Sequence, residues 1–410
     1  MPKRGDKGVV LLINYIKSFT LFLFVFVSFN DAFAIEHAGG MIIKVAFGVF
    51  VLTHAKELYE MLLKPKNFVV KSFYIFILTI SVVTMITYLV KGESSMYMTD
   101  ILQVSFMRIL SFVVIFVYVT YTKEFDKLLY MIWISLIVSS IIAAGNDPYE
   151  QWTFRRVGGT DNPNDFAAQI LPTMFITYYL FKKNKSFIFL IGSILFFLYT
   201  LAYAGSKSSF IVLAFVMLFV FIVKIKDILN FIATPKGFAS MFLVLAIFAG
   251  GAYYMSNSSA VKGLEQRSKK TGTLQQRLII WRAGSEMIRD NFFLGVGFAQ
   301  FPKVSGNYIK DFLPPEALPS HNNFIKVFAE SGVFSFVTFF IFIASLFLSR
   351  VKEIYNSDYF WIYVGSMSVV LMSLTIPSLH HKDYWWTLVL ISHGIYYFYK
   401  KEKENQKVPI

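Results

Sequence analysis

Cationic side chains and a histidine gather in one polar stretch of an otherwise apolar sequence. Residues 255–332 contain Arg277 and Arg282 in their middle and His321 near their end. Arginine can bind phosphate oxygens through two parallel hydrogen bonds, and a neutral imidazole can accept a proton from a hydroxyl group. This combination predicts a site that binds a diphosphate and contains a candidate base.

Two shorter polar segments can face this stretch from the same side. Residues 145–165 contain Arg156 and Asn164, and the turn 205–209 contains Lys207. Both segments lie between apolar runs, so their side chains are held close to a membrane surface. We expect Arg156 and Lys207 to join the arginines around a diphosphate, because clustered cations bind phosphate groups.

The sequence around Arg277 predicts an amphipathic helix at the membrane interface. Apolar residues recur at helical spacing and can face the membrane, namely Leu278, Trp281, Ile288 and Phe292. Arg277 and Trp281 are four residues apart and therefore share a face of that helix. We place Trp281 among the supporting residues of the site.

His321 follows a proline-rich approach and is predicted to open a helix, with Ser320 as its N-cap. Phe324 and Phe328 would place the imidazole in apolar surroundings, which disfavour its protonated form. His321 is thus a candidate base. On spacing alone, a packing or capping histidine is an equally good interpretation.

The composition is typical of a membrane protein. Of 410 residues, 56% are apolar and 16% are charged. The charges separate apolar runs of about 15–20 residues, the length that crosses a bilayer as a helix. We predict an all-α polytopic protein, a single membrane domain over residues 1–410, with about twelve spans. These lie near residues 9–29, 39–54, 72–90, 101–120, 128–144, 166–181, 186–204, 210–223, 238–254, 333–349, 359–376 and 385–399.

Lys and Arg concentrate in every second loop, on the side of the membrane that also carries both termini. Because positively charged loops stay in the cytoplasm, this pattern predicts cytoplasmic termini. The long loop 255–332, between spans 9 and 10, then lies outside, in the periplasm of a Gram-negative cell. The net charge of +14 follows this loop pattern and does not indicate nucleic acid. Scattered cations of the long loop are instead expected to contact anionic membrane lipids, namely Lys262, Lys269 and Lys270.

Several kinds of chemistry lack their residues in this sequence. Cysteine is absent, and no P-loop, G-x-S-x-G or H-E-x-x-H motif is present. His380 and His381 are adjacent, but the sequence offers no evident third metal ligand. We predict no metal site and no cofactor. A transporter remains an alternative from the span count alone, although no internal repeat supports it.

The sequence resembles the superfamily of O-antigen ligases and O-antigen polymerases. The resemblance covers residues 156–335 and rests on the order and spacing of five motifs. They are Arg156-x-Gly-Gly-Thr-Asp-Asn-Pro-Asn-Asp-Phe-Ala, Gly205-Ser-Lys-Ser-Ser, Arg277-x-x-x-Trp281, Gly295-Val-Gly-Phe, and His321-Asn322 followed by Gly332.

The resemblance implies a metal-independent glycosyltransferase of the bacterial inner membrane. Its donor would be a glycan on undecaprenyl diphosphate, and it would work beside other envelope polysaccharide assembly proteins. The acceptor would be lipid A–core for a ligase, which we favour, or a carrier-linked repeat unit for a polymerase. By motif position, His321 would deprotonate the acceptor, while Arg277 and Lys207, the latter replacing a family arginine, would bind the diphosphate. Asn322, Glu330 and Asn164 would support the site.

Overall fold

The computed structural model describes residues 4–30, 41–63, 67–91, 106–145, 162–239, 242, 272–309 and 318–406. Regular structure in these ranges is helical. The α-helices are α1 (Arg4–Phe29), α2 (Met41–Thr53), α3 (Ala55–Leu62), α4 (Phe68–Lys91), α5 (Phe106–Tyr121), α6 (Phe125–Gly145), α7 (Pro163–Asn184), α8 (Phe187–Ala204), α9 (Lys207–Ile232), α10 (Gly272–Asp290), α11 (Phe301–Ser305), α12 (Asn323–Leu348), α13 (Val351–Tyr355), α14 (Tyr359–Met372), α15 (Lys382–Leu388) and α16 (Leu390–Asn405), with a 3₁₀ turn at Ser378–His380.

The chain is a polytopic all-α membrane protein, as predicted. Within the described ranges, six helices are long and apolar enough to span a bilayer: Gly8–Phe29, Phe68–Val90, Phe125–Gly145, Phe187–Ala204, Lys207–Ile232 and Asn323–Leu348. Three further apolar helices are shorter, namely α2, α5 and α14. Most of the predicted span 238–254 lies outside the described residues, so the number twelve stays a prediction. The predicted last span is divided at Val389 into α15 and α16.

Helices α4 and α12 pack side by side and run in opposite directions. The hydroxyl groups of Ser72 and Ser345 are 2.8 Å apart at one end. At the other end, Thr87 donates to the carbonyl oxygen of Leu294, which precedes α12 in the chain. Aromatic rings fill the seam between these helices and α15; they include Phe73, Phe76, Phe339, Phe342 and Trp385. This core fixes the position of α12, which begins two residues after the candidate base His321.

Two tight turns place the starts of α7 and α9 at the same end of the bundle. Helix α7 ends at Lys185 in the left-handed conformation, and α8 ends at Gly205 in the same conformation. A residue of this kind ends a helix and reverses the chain. The chain therefore runs down α7, back along α8 and down again along α9. Asn162 caps the start of α7 by accepting a hydrogen bond from the backbone of Asn164.

Helix α10 has an apolar face, but that face packs on the segment that follows it. Ile288, which was predicted to face the membrane, packs there as well. Ile280 and Met287 are buried against Val296 and Phe301. Leu278, by contrast, is 52% exposed, in agreement with a membrane-facing position. The long polar stretch thus has a small apolar core of its own, which fixes the orientation of α10.

Candidate active site

The guanidinium group of Arg277 joins α10 to the start of α9. Its Nη1 donates to the Ser208 hydroxyl at 3.3 Å. Ser208 is the second residue of α9, so the contact also brings Arg277 beside the helix start that carries Lys207. The turn makes this arrangement possible because only Gly205 and Ser206 separate the last residue of α8 from the first residue of α9. Two of the predicted phosphate-binding cations therefore lie at one helix terminus.

His321 lies close enough to Arg277 for their charges to interact. Burial lowers the pKa of His321 to about 4, and the positive charge of Arg277 contributes to the decrease. Both effects disfavour the imidazolium form, so the ring is neutral at physiological pH. A neutral imidazole has a free nitrogen lone pair and can accept a proton. The site therefore combines a candidate base with a cation that can attract an anionic substrate.

The backbone at His321 is left-handed, with φ of +49°, and the residue precedes the helix instead of opening it. The predicted N-cap Ser320 is wrong. Asn322 caps α12, because its side-chain oxygen accepts hydrogen bonds from the backbone of Phe324 at 2.9 Å and Ile325 at 3.1 Å. Ser320 instead donates to the carbonyl oxygen of Asn322. The supporting residue Asn322 thus fixes the backbone next to His321.

The Gly295–Gly297 motif docks the segment after α10 onto α12. Backbone amides of Val296 and Gly297 donate to the carbonyl oxygens of Ala329 and Glu330 at 2.8 and 2.9 Å. Gly295 has φ of +71°, and a Cβ there would lie 2.3 Å from the Glu330 backbone. Only glycine fits this approach, because another residue would clash and would also be strained. The motif therefore sets the distance between α10 and α12.

Glu330 completes this attachment with its side chain. The carboxylate is almost fully buried, and its two oxygens accept hydrogen bonds from the backbone of Ala299 at 2.9 Å and Phe301 at 3.0 Å. Its charge also interacts with Arg108 and Lys326. Glu330 thus links α12 to the segment that follows α10, the helix of Arg277. Its supporting role is to hold the backbone.

Residues 192–340 match the family model described as Wzy_C, O-antigen ligase. This match supports the resemblance to the O-antigen ligase and polymerase superfamily. The match covers a little over a third of the chain and contains Lys207, Arg277, His321 and Glu330. None of the curated proteins searched matches the chain.

Two further predicted residues within the matched region lie on α10. Trp281 follows Arg277 by four residues, and its indole N–H is buried without a hydrogen-bond partner among the described residues. Arg282 lies on another face of the helix. Its side chain is 68% exposed, and its Nε contacts the Glu286 carboxylate at 3.3 Å. The structure therefore brings Trp281, but not Arg282, onto the face of Arg277.

The remaining predicted residues precede the matched region. Asn164 lies in the first turn of α7, at the end of the bundle where α9 also begins. Arg156 lies outside the described residues, so its place near the diphosphate stays a prediction. No described group of three or more His, Cys, Asp or Glu side chains could hold a metal ion.

Sequence reasoning missed a buried polar cluster below the start of α12. Lys326 is 9% exposed, and its Nζ lies 3.3 Å from Nδ1 of His380. The next residue, His381, has the carboxylates of Asp165 and Asp383 at 4.0 Å from its two ring nitrogens. Burial lowers the pKa of both histidines, and the charge of Lys326 adds to this. Lys326 and His380 are 54 residues apart, so only the fold reveals their contact.

Proposed function

We propose that the chain is an O-antigen ligase that transfers a glycan from undecaprenyl diphosphate to a hydroxyl group of lipid A–core. The observation that supports it best is the proximity of His321 and Arg277, with Arg277 in contact with Ser208 beside Lys207. A glycosyl transfer of this kind needs a base for the acceptor and cations for the departing diphosphate. Among the described residues, His321 is the candidate for the base, and Arg277 and Lys207 are the candidates for the cations.

In the proposed reaction His321 accepts the proton of the acceptor hydroxyl, and the acceptor oxygen forms a bond to the anomeric carbon of the donor. The bond from that carbon to the diphosphate oxygen breaks, and its electron pair leaves with undecaprenyl diphosphate. Arg277 and Lys207 stabilise the negative charge that develops on the diphosphate. No step requires a metal ion or a cofactor. The base would contribute a rate increase of roughly 10²–10⁴-fold.

In the proposed topology the termini are cytoplasmic and the site faces the periplasm. The starts of α7, α9 and α12 lie at one end of the bundle, which suits a site on one face of the membrane. The carrier is embedded in the same bilayer, so its diphosphate would arrive at the height of Arg277. Arg156 and Arg282 remain secondary candidates for diphosphate binding.

The test is transfer by the purified protein in liposomes, with undecaprenyl-diphosphate glycan as donor and lipid A–core as acceptor. We expect glycosylated lipid A–core in the presence of EDTA, and its loss in His321→Ala and Arg277→Ala. Arg289→Ala is the matched control, because Arg289 lies on the same helix, is exposed and contacts Asp290. Normal turnover by both site variants would refute the assignment. Elongation of carrier-linked glycan without lipid A–core would show a polymerase instead.

A further inference from the structure

Helix α9 begins with a positively polarised terminus at the candidate site. The helix contains 26 residues from Lys207, and the N-terminal amides of a helix lack partners within it. Aligned peptide dipoles add partial positive charge at this end, which makes such termini suitable for phosphate groups. A helix terminus alone does not indicate a ligand, but Ser206, which precedes this terminus, provides a second observation.

Ser206 occupies the N-cap position of α9 and does not cap it. A serine at this position usually accepts a hydrogen bond from an amide of the first turn. The Ser206 side chain makes no such bond. It is fully buried, and its hydroxyl has no hydrogen-bond partner among the described residues. Buried hydroxyl groups are normally hydrogen-bonded, so the Ser206 hydroxyl has a hydrogen-bonding capacity that the described residues leave unused.

The two neighbouring hydroxyls show what satisfied serines look like in this turn. Ser209 is equally buried, and its hydroxyl donates to the carbonyl oxygen of Ser206 at 2.7 Å. Ser208 accepts the hydrogen bond from Arg277. Ser206 therefore differs from both, although all three lie within four consecutive residues. A second buried donor without a described partner, the indole N–H of Trp281, lies one turn after Arg277 on α10.

We propose that Ser206 and the first amides of α9 form a phosphate subsite that binds one phosphate of the donor diphosphate. The Ser206 hydroxyl donates to a phosphate oxygen, the helix amides bind the others, and Ser208 holds Arg277 beside the same group. This inference rests on the proposed function, because it specifies how the donor of that reaction is bound. It also gives Lys207 a role that needs no bidentate geometry, since the amides supply the directional hydrogen bonds.

Equilibrium binding of glycan-free undecaprenyl diphosphate to the full chain in detergent micelles tests the proposal. We expect Ser206→Ala to weaken binding by about tenfold or more, the usual effect of losing a hydrogen bond to a charged group. Ser209→Ala is the matched control and should change affinity less than about twofold. The reason is that the Ser209 hydroxyl already donates to the carbonyl oxygen of Ser206. Without ligand, Ser206→Ala should keep or raise the melting temperature, since it removes an unsatisfied buried group. A merely structural serine would lower it.

The outcomes separate this inference from the proposed function. Wild-type affinity in Ser206→Ala, with binding lost in Arg277→Ala, overturns the subsite and leaves the transferase assignment intact. Absence of undecaprenyl diphosphate binding by the wild-type chain overturns both. Competition by inorganic pyrophosphate supports recognition of the diphosphate itself. Equal competition by vesicles of phosphatidylglycerol would assign the subsite to a membrane lipid headgroup and overturn the donor role.

Discussion

Gly332 interrupts α12 where the backbone of Phe293 crosses it. A Cβ at Gly332 would lie 2.0 Å from the carbonyl oxygen of Phe293. The glycine has φ of +69° and ψ of −177°, a conformation that is nearly restricted to glycine. The amide of the next residue, Val333, donates to the carbonyl oxygen of Phe292 at 2.9 Å. The close approach thus explains, in physical terms, the glycine eleven residues after His321.

Gly332→Ala should destabilise the protein by about 2 kcal/mol or more, because it adds both backbone strain and a steric clash. Gly192→Ala is the control, since its Cβ would meet nothing within 4 Å inside α8. We expect that variant to be neutral or slightly stabilising. Melting temperatures in detergent, followed by tryptophan fluorescence, provide the measurement. Equal melting temperatures for the two variants would contradict this account.

Glu330→Gln should weaken the attachment between the Ala299–Phe301 segment and α12. Each carboxylate oxygen accepts a backbone hydrogen bond, and an amide side chain can satisfy only one of these donors. The unsatisfied buried amide should cost about 1–3 kcal/mol of stability. Transfer should fall as well, because Arg277 and His321 lose their fixed separation.

Melting temperature and transfer rate are measured on the same Glu330→Gln preparation. Glu286→Gln is the control, because Glu286 contacts only the exposed Arg282 in the described ion pairs. A stable and fully active Glu330→Gln protein would show that the carboxylate does not hold this segment.

Transfer should depend on pH through His321. With its pKa near 4, His321 stays neutral from pH 7 to about pH 5.5, where an ordinary histidine would already be mostly protonated. kcat/KM should therefore fall only as pH approaches 4. In Arg277→Gln the residual activity should fall at a higher pH, because the repulsive charge is gone. Initial rates across pH in liposomes test this, with Arg289→Gln as the control. An acid limb near 6.5 in the wild type would contradict it.

The lowered pKa of His321 also makes the stability of the folded protein decrease at acidic pH. The folded-state pKa of His321 lies below the unfolded value of 6.5, so the unfolded chain binds more protons between these values. The contribution of this group is fully present above pH 6.5 and is lost as pH falls toward 4. Reversibility of the activity loss on return to pH 7 separates protonation of the base from unfolding.

Arg282→Ala should have a much smaller effect than Arg277→Ala, although the two residues are five positions apart. Arg282 forms an exposed ion pair, and such pairs contribute about 0.2–1 kcal/mol. We expect a decrease in kcat/KM of less than about fivefold for Arg282→Ala and of about 10²–10³-fold for Arg277→Ala. Initial rates at varied donor concentration provide the comparison. Similar losses in both variants would place Arg282 at the diphosphate.

The sequence predicted the helical membrane fold and indicated the polar segments that carry the candidate site, because both depend on local patterns. Apolar runs set the helices, and the pattern after Gly272 predicted an amphipathic α10. Contacts between distant residues were beyond its reach. Ser208 and Arg277 are 69 residues apart, and Glu330 binds amides about 30 residues earlier. No periodicity reports such pairings, so the roles of Ser208 and Glu330 required the folded chain.

The N-cap of α12 shows a subtler limit. Ser320 and Asn322 are both good capping residues, and sequence preference alone does not choose between them. The choice depends on His321, whose left-handed backbone turns the chain between the two residues. A non-glycine residue rarely adopts this conformation, so local rules favour the earlier start of the helix. The candidate base His321 is thus the residue whose backbone departs from these local preferences.

The proximity of Arg277 and His321 has a consequence for the order in which substrates act. Without bound substrate, burial and the nearby guanidinium together keep the imidazole a weak base, so an acceptor that arrives alone is expected to keep its proton. A bound diphosphate would offset that positive charge and raise the proton affinity of the ring. We therefore expect the donor to bind first and His321 to deprotonate the acceptor only after donor binding. Initial-velocity patterns with both substrates varied would reveal this sequence, and random-order kinetics would contradict it.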